Sequence, residues 1–370
     1  METFFNISSQ NDSAATVIKD VVQQLSKAPT EANFGFIYTT DAMATEFPDL
    51  VEQCKKTTGI KHWIGTIGSA VIVTNTELYD KPAVSIMLAN FDENEFAMIP
   101  SINKSENLIA HLSWPRTFAS NFGIIHGDPF NQETQSMIEE LQQQVENGFV
   151  VGGLTSSQDK HYQVSDEVVR GGISGALFSE NIGVITNLSQ GCRPVAKKHK
   201  ITKAQENAAF TLDNKPALEM LMHDMGISTY KELEKNAHEV FVGLCIPGSD
   251  KSDYTIRNLV GIDPDNSIFA INDYLHEEDE VIFCNRNSET AVEDMQAMLD
   301  NMAKRLKQPP KGGIYISCVG RGREQFGDDS EEIKMIHQTL GDFPLTGFFA
   351  NGEIHHNKLY GYTGVLTLFV

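Results

Sequence analysis

Short apolar runs, typical of strands, alternate along the chain with segments of helical period. Residues 13–28 predict a helix with one apolar face. A buried strand is predicted at 34–38, and a second helix at 48–59, which opens on a proline and ends at a glycine. The apolar runs 63–73 and 83–88 predict further strands. The first quarter of the chain therefore predicts a strand–helix–strand–strand unit.

The same order of elements returns twice. The matching segments are 122–125, 132–147, 149–156 and 172–178 in the second copy, and 313–318, 330–340, 346–351 and 362–369 in the third. Their spacing is far longer than a solenoid repeat, so we interpret it as duplication within a mixed α/β sheet. Between these two copies, the runs 239–244, 256–261 and 267–271 predict an antiparallel meander.

The strand pattern lapses over the Lys/Gln/Asn-rich segment 197–235, where we place a domain change. The predicted fold class is α+β or mixed α/β, with two domains built from repeated strand–helix–strand–strand units and mixed, curved sheets. The expected divisions are an N-terminal helix in 1–29, a first domain over 30–200 and a second over 201–370.

The composition of the chain limits which classes of partner the protein can bind. The chain has 370 residues, and 29 Lys+Arg against 50 Asp+Glu give a net charge of −21. This acidity argues against binding a nucleic-acid backbone or an anionic membrane surface, so neither is expected as a partner. The five cysteines are scattered without C-x-x-C spacing, and no secretory signal or apolar run of the ~20 residues of a membrane span is seen. We therefore expect a cytoplasmic protein in a reducing compartment.

Familiar catalytic motifs fail on inspection. Gly320-Arg321-Gly322 follows a predicted strand, but Gln325 stands where a dinucleotide fingerprint needs its third glycine. No glycine is followed by lysine, which excludes a P-loop, and Gly172–Ala176 lacks the spacing of a nucleophile elbow. We find no positive sign of an enzyme and predict a non-catalytic protein.

Glycines and small polar residues end strands at matching places of the second and third copies. Glycine lets backbone amides approach a ligand and the polar side chains orient it, which makes these residues candidates for a binding site. The alternative is that the glycines serve bulges and bends of a curved sheet. The candidates are Gly152, Gly153, Thr155, Ser156, Asn351, Gly352 and Glu353.

The segment Gly191-Cys192-Arg193-Pro194 is a second candidate. A guanidinium beside a stiff turn can clamp a carboxylate bidentately, or it can tie down its own loop through carbonyls or an internal acid. Cys192 is either a reactive thiol or soft ligand, or a buried structural cysteine.

Three histidines are candidate haem ligands. His355 and His356 lie between two predicted strands of the third copy, and His161 lies in the corresponding insertion of the second. Adjacent strand residues face opposite ways, so the pair is not expected to chelate one metal together. Each is either an axial ligand of haem iron or a solvated turn histidine.

Five segments carry motifs that occur together in one family: 183–195 with the G-C-R-P motif, Ile201-Thr202, 212–218, 347–354 and 359–365. Together they resemble the FIST (F-box and intracellular signal transduction) sensory proteins. The resemblance covers roughly 30–370 and implies a FIST N-terminal domain over 30–200 and a FIST C-terminal domain over 201–370. Val195-Ala196-Lys197-Lys198 departs from the family's usual I-G-P-type continuation, and Asn214 replaces its usual glycine.

The resemblance implies a cytosolic bacterial sensor of small ligands. Since no output domain is recognised, we expect a separate signalling partner, such as a histidine kinase or a component of a cyclic-di-GMP pathway. Stand-alone members resemble haem-binding nitric-oxide sensors, so haem is the expected cofactor and nitric oxide the expected signal. A free amino acid is the alternative ligand.

Our hypothesis places the ligand between the two halves, with Arg193 meeting an anionic group. An alternative from another class is a hydrolase or transferase with Cys192 as nucleophile. A third is a pure interaction module.

Overall fold

The computed structural model describes residues 4–108, 121–145, 148–246 and 254–370. The chain divides into two compact units: a first unit of Met1–Ser189 with Gln296–Val370, and a second unit of Gln190–Met295. Within the described ranges, no helix is long and apolar enough to cross a membrane. The helices are α1 (Ala14–Leu25), α2 (Phe47–Thr58), α3 (Thr134–Gln144), α4 (Ala217–Met225), α5 (Tyr230–Asn236), α6 (Ser288–Arg305), α7 (Arg323–Phe326) and α8 (Glu331–Leu340).

Three six-stranded sheets are seen in the described part of the first unit. The first contains, in order, β11 (Glu167–Arg170), β10 (Tyr162–Ser165), β3 (His62–Gly68), β2 (Phe34–Thr40), β6 (Ala83–Ala89) and β1 (Phe4–Gln10). The second contains β25 (Lys358–Tyr360), β24 (Glu353–His355), β9 (Phe149–Leu154), β8 (Asn121–Gly127), β12 (Ile173–Ser179) and β7 (Phe96–Ile102). The third contains β5 (Thr76–Leu78), β4 (Val71–Val73), β23 (Leu345–Ala350), β22 (Gly312–Cys318), β26 (Gly364–Phe369) and β13 (Val184–Ser189).

The three sheets share one plan, which confirms the predicted mixed fold and its repeat. In each, two parallel strands follow one another across a helix, as β2 and β3 do across α2, and a third strand pairs antiparallel with the first. Pro48 stands in the first turn of α2, and Gly59 caps it at φ 74°, as the sequence predicts. The helix predicted over 132–147 is α3; residues 146 and 147 lie outside the described residues.

Each repeat also donates a two-stranded hairpin to the sheet of another repeat. The hairpin β4–β5 of the first repeat pairs with β23, β10–β11 of the second pairs with β3, and β24–β25 of the third pairs with β9. The phenylalanines of the three sheets meet in one core cluster, which includes Phe36, Phe122, Phe178, Phe348 and Phe369. The three repeats are therefore interlocked by exchanged hairpins and share one of the hydrophobic clusters of the unit.

The compact units differ from the expected division at 200/201. Residues 296–370 belong to the first unit because their strands complete the third sheet with β4, β5 and β13. The segment 1–29 also holds more than a helix, because β1 precedes α1 and pairs with β6. The sequence did not predict β1, because its residues mix polar and apolar side chains and it lies outside the recurring pattern.

The second unit contains a closed barrel. Its ring of strands is β21 (Glu280–Asn285), β15 (His199–Gln205), β16 (Ala208–Leu212), β20 (Ile268–Ile271), β19 (Tyr254–Asp263) and β18 (Val240–Cys245), which pairs again with β21. Short strands β14 (Arg193–Pro194) and β17 (Lys215–Pro216) extend it. Leu221 of α4 packs with Val242, Phe269 and Phe283 in its core.

Candidate functional site

The parallel strands of the first unit bring three small polar residues together at their carboxyl ends. Ser69, Ser156 and Asn351 each stand four positions after an equivalent strand glycine. Ser156 N–H donates to Ile67 O (3.2 Å) and Asn351 N–H to Leu154 O (3.0 Å). Ser69 N–H donates to Ser156 Oγ (2.6 Å). Ligands of α/β sheets bind outside the carboxyl ends of their strands, so this end is the place to look for a site.

A cavity of about 460 Å³ opens at this end of the first unit. Hydroxyl, amide and charged side chains dominate its wall. The lining residues are Thr40, Asp41, Ala42, Ser69, Tyr79, Asp80, Ser156, Gln158, Val319, Arg321, Arg323 and Glu324. The loops after β2, β3, β5, β9 and β22 supply them, so all three repeats contribute.

Arg321 and Glu332 form a fully buried ion pair beneath this cavity. Arg321 Nε donates to Glu332 Oε1 (2.7 Å), and neither side chain is exposed to solvent. The hydroxyls of Tyr315 (2.5 Å) and Ser317 (3.2 Å) also donate to Glu332, and Arg321 Nη2 donates to Ser189 Oγ (3.2 Å). These hydroxyls occupy the remaining lone pairs of the Glu332 carboxylate. The Arg321–Glu332 pair is therefore a fixed part of the cavity floor.

Arg323 is held more loosely. Its guanidinium bridges both oxygens of Asp80 and lies over the ring of Tyr79, 4.5 Å from the centroid. The side chains of Arg323 and Asp80 are 36% and 67% exposed. The Arg323 hydrogen bond holds the pKa of Asp80 below its usual value. A pair this exposed can exchange partners.

Glu77 lies behind Tyr79 and is only 7% exposed. The Tyr79 hydroxyl donates to Glu77 Oε2 (2.7 Å), while Glu77 Oε1 is buried without a hydrogen-bond partner in the described residues. Burial, and then the charge of Glu332, raise the pKa of Glu77 to about 8, against the opposing effects of Tyr79 and Arg321. Glu77 is therefore mostly protonated at neutral pH.

Asp41 supplies a carboxylate on the opposite loop. Its Oδ1 accepts hydrogen bonds from Ser157 Oγ (2.5 Å) and Gln158 N–H (3.1 Å). These two bonds fix the orientation of the carboxylate at the cavity wall. Its negative charge can attract a cationic group.

The structure brings together the predicted strand-end residues of the second and third repeats. Glu353 pairs with Gly153 because β24 adds to β9, and Gly352 O accepts from Leu154 N–H (2.9 Å). Thr155 Oγ1 donates to Ile67 O (2.7 Å). Of the seven candidates, Ser156 lines the cavity.

The glycines among these candidates are required by packing. A Cβ on Gly152 would lie 1.8 Å from Ile125 O, and one on Gly153 would lie 2.8 Å from Ala350 Cβ. Gly152 thus allows close approach of the neighbouring strand β8, and Gly153 allows close approach of β23 in the third sheet. Gly352, at φ 129°, makes the turn that leads into β24.

Cys192 and Arg193 belong to the second unit. Arg193 has a side chain 68% exposed and lies 3.5 Å from Glu293, while Cys192 is 3% exposed. Gly191 N–H donates to Asp294 Oδ2 (2.9 Å), which fixes the start of this segment. Arg193 is thus a surface residue paired with an acid of the same unit, which was the second interpretation of the sequence.

His355 ends β24, His356 lies in the hairpin turn and His161 lies in the loop before β10. None of the three lines the cavity described above. The rings of His355 and His356 are 4.5 Å apart, because His356 occupies the hairpin turn at φ 56° and does not continue the strand. The expectation that they face opposite ways is therefore wrong. The ring of His161 lies 4.8 Å from that of Phe130. In the described ranges, no three His, Cys, Asp or Glu side chains are placed to hold a metal ion.

Sequence reasoning missed the charged residues of the cavity. Arg321 attracted notice only within a failed dinucleotide fingerprint, and Asp41, Tyr79 and Asp80 lie after strand ends without a motif. Glu77, behind Tyr79, lies in the three-residue strand β5. The one available signal was position: Asp41, Tyr79 and Asp80 each lie close to the carboxyl end of a strand.

Comparison with known proteins identifies both parts of the chain. The FIST N domain model matches residues 33–215, and the FIST C domain model matches residues 217–356. Similar proteins include the uncharacterized protein Rv0628c of Mycobacterium tuberculosis, 29% identical over 83% of each chain. Another is the uncharacterized protein Mb0898c of Mycobacterium bovis, 28% identical over 83% of this chain and 82% of that one.

Solved structures give a weaker likeness. A cyanuric acid hydrolase from A. caulinodans aligns over 100% of this chain and 99% of its own, at a TM-score of 0.29 and 8% sequence identity. A likeness at that level carries no inference about this protein.

Proposed function

The chain belongs to the FIST family, a family of small-ligand-sensing signalling proteins, and on that premise we propose that the cavity of its first unit is the ligand site. The observation that carries this proposal is the set of groups in one polar cavity at the carboxyl ends of the parallel strands. An exchangeable arginine, Arg323, and a fixed carboxylate, Asp41, both line it. A small zwitterion such as a free amino acid matches these two charges.

Arg323, and not Arg321, would bind the ligand carboxylate. Separating Arg321 from Glu332 would leave a buried charge unpaired, which typically costs about 3–5 kcal/mol. The exposed pair of Arg323 with Asp80 belongs to a class that contributes only about 0–1 kcal/mol. A ligand carboxylate can therefore replace Asp80 on the fork of Arg323 at little cost.

Asp41 would receive the ammonium group. Its carboxylate is oriented by Ser157 and Gln158 and lines the same cavity. The hydroxyl of Ser156 and the amide of Gln158 add neutral hydrogen-bonding groups between the charged ends. Such a small set of convergent polar groups is what fixes the orientation of a small ligand.

Haem fits this cavity poorly. A porphyrin presents large apolar faces and needs an axial side chain, commonly histidine, whereas this wall carries Asp41, Asp80 and Glu324. His161, His355 and His356 lie elsewhere in the first unit. A sharp Soret shift on addition of stoichiometric haem would contradict this reading.

We further propose that the protein acts without catalysis and that a separate signalling protein, such as a histidine kinase, reads the occupancy of the cavity. The family assignment supports a signalling role. The burial of Cys192 supports a structural thiol over a nucleophile, since a reactive cysteine is ordinarily accessible.

Calorimetric titration of the full chain with each of the common amino acids tests the site. We expect Arg323→Gln to weaken binding by about tenfold to a hundredfold, because a bidentate charged hydrogen bond is lost. Arg193→Gln is the matched control, since it removes an exposed arginine of the second unit and should leave the affinity unchanged.

If Arg193→Gln lost ligand affinity and Arg323→Gln kept the wild-type affinity, the ligand site would instead lie at the G-C-R-P segment. Failure of every amino acid to bind the wild-type protein would exclude this ligand class.

A further inference from the structure

The Glu77 carboxyl and the Tyr79 hydroxyl form a buried hydrogen-bonded pair in the wall of the cavity. Tyr79 lines the cavity, and its hydroxyl is 2.7 Å from Glu77 Oε2. The backbone N–H of Arg323 donates to the same hydroxyl (3.2 Å), so the tyrosine oxygen links Glu77 to the main chain of the residue that would bind the ligand. A phenol has one proton to donate and two lone pairs to accept.

Burial first, and then three neighbouring groups, determine the charge of Glu77. Glu332 repels its ionised form, while Arg321 and the Tyr79 hydroxyl favour it. The Ser330 hydroxyl accepts from Glu77 N–H (3.0 Å) and fixes the backbone. Glu77 Oε1 has no hydrogen-bond partner among the described residues, although the side chain is more than nine-tenths buried. An ionised carboxylate in this place would be poorly satisfied.

The direction of the Glu77–Tyr79 hydrogen bond depends on the proton. When Glu77 is ionised it can only accept, so the Tyr79 O–H is committed to it. When Glu77 is protonated it can donate to Tyr79, and the Tyr79 O–H is released to donate to another acceptor. Because Tyr79 lines the cavity, that acceptor can be a ligand oxygen.

We propose that Glu77 and Tyr79 form a proton-linked donor switch in this site, a role that rests on the proposed function above. A ligand carboxylate binds beside Arg323 to the form of the protein in which Glu77 carries its proton. Glu77 then donates to Tyr79, and Tyr79 donates to the ligand carboxylate. Tyr79 contacts the ligand, whereas Glu77 is a positioning residue that acts through it.

The affinity of the wild-type protein should therefore fall with rising pH. Glu77 has a pKa of about 8, so only about a tenth of it is protonated at pH 9. If the protonated form is the one that binds, the apparent affinity falls about tenfold between pH 6.5 and pH 9.

Calorimetric titrations across this pH range, with the amino acid that binds best and with acetate as a carboxylate-only probe, test the switch. We expect Glu77→Gln to keep the low-pH affinity up to pH 9, because its amide donates to Tyr79 at every pH. We expect Tyr79→Phe to bind weakly at every pH. Comparing variants with one ligand cancels the titration of the ligand's own amine.

Glu353→Gln is the matched control, since it neutralises another buried acid of the same unit, which does not line the cavity. It should keep the wild-type pH dependence. Circular dichroism at each pH checks that the variants are folded.

Equal pH slopes in the wild-type protein and Glu77→Gln would overturn the switch and leave the ligand site standing. Absence of binding by every probe to the folded wild-type protein would overturn both. If Glu77→Gln fails to fold, Tyr79→Phe provides the test. A Tyr79→Phe variant whose affinity changes with pH as steeply as that of the wild-type protein would exclude the switch.

Discussion

At the scale of single residues, Glu353 and Gln163 occupy equivalent places in two hairpins. Each pairs with the residue that follows a close-packed strand glycine. Gln163 Nε2 donates to Gly172 O (3.0 Å), while Thr363 N–H and Oγ1 donate to Glu353 Oε2 (3.1 and 2.9 Å). Gly172 and Thr363 are themselves equivalent, so a neutral amide in one repeat and a carboxyl in another bind the same position, the amide as donor and the carboxyl as acceptor.

The equivalence predicts the effect of Glu353→Gln on stability. Burial raises the pKa of Glu353 to about 8, from an ordinary value of 4.5. The folded protein therefore retains a proton that the unfolded chain loses, and stability falls as pH rises from 4.5 to 8, by about 1.4 kcal/mol per pH unit. Glu353→Gln removes this slope, so between pH 5 and pH 7.5 it should gain roughly 3 kcal/mol relative to the wild-type protein.

Urea unfolding at several pH values measures this difference, and Gln163→Glu is the converse variant. It should acquire a similar slope, because the new carboxyl would be fully buried. Parallel stability curves for Glu353→Gln and the wild-type protein would show that Glu353 is ionised in the folded state.

One of the residues that the sequence proposed for a ligand site lines the cavity. Ser156 was recognised because it ends a strand in a recurring place, and it does line the cavity. Arg323, Asp41 and Glu77 were missed because their proximity depends on strands from different repeats packing together. No local spacing records that proximity.

At the scale of elements, three equivalent glycines fix how closely the parallel strands approach. A Cβ at Gly65, Gly152 or Gly347 would lie 1.7, 1.8 and 1.7 Å from the carbonyl oxygen of the paired residue on the neighbouring strand. Those contacts are with backbone, which cannot rotate away as a side chain can. The glycines are therefore requirements of the fold in every repeat.

Gly152→Ala should destabilise the protein by roughly 1–3 kcal/mol, because the strands β8 and β9 must separate to admit a methyl group. Gly261→Ala is the control: it also lies in a strand, and nothing lies within 4 Å of its Cβ position. That variant should stay within about 0.5 kcal/mol of the wild-type protein. Thermal unfolding measures both.

A Gly152→Ala variant with wild-type stability but lost ligand binding would instead favour the interpretation that this glycine admits a ligand.

Most helices and long strands were predictable, since their apolar periods and end signals are local. The segment 63–73 was predicted as one strand, whereas β3 ends at Gly68 and β4 begins at Val71 in another sheet. Three-residue strands such as β4 and β5 carry too few positions for a period to show. The hairpin β4–β5 pairs with β23, more than 200 residues further along the chain. A local sequence pattern cannot predict such an exchange of hairpins.

At the scale of the whole molecule, the first unit is built from both ends of the chain. Its third sheet contains strands from residues 71–78, 184–189 and 312–369. Residues 190–295 form the second unit between two of these segments. Position 200/201 lies within β15 of the second unit, and it separates the third repeat from the first two along the chain.

A fragment of residues 1–200 should fail to fold on its own. It keeps the hairpin β4–β5 but loses its partner β23, and it keeps β9 but loses β24. Phe36, Phe122 and Phe178 would lose Phe348 and Phe369 from their shared core. Fully burying one such side chain typically contributes about 1.5–3 kcal/mol, and losing two approaches the 5–15 kcal/mol free energy of unfolding of a typical domain.

We expect the isolated fragment to show no cooperative thermal transition by circular dichroism, whereas co-expression with residues 201–370 should yield a soluble one-to-one complex. A sharp unfolding transition in the isolated fragment would show that the first two repeats are stable without the third.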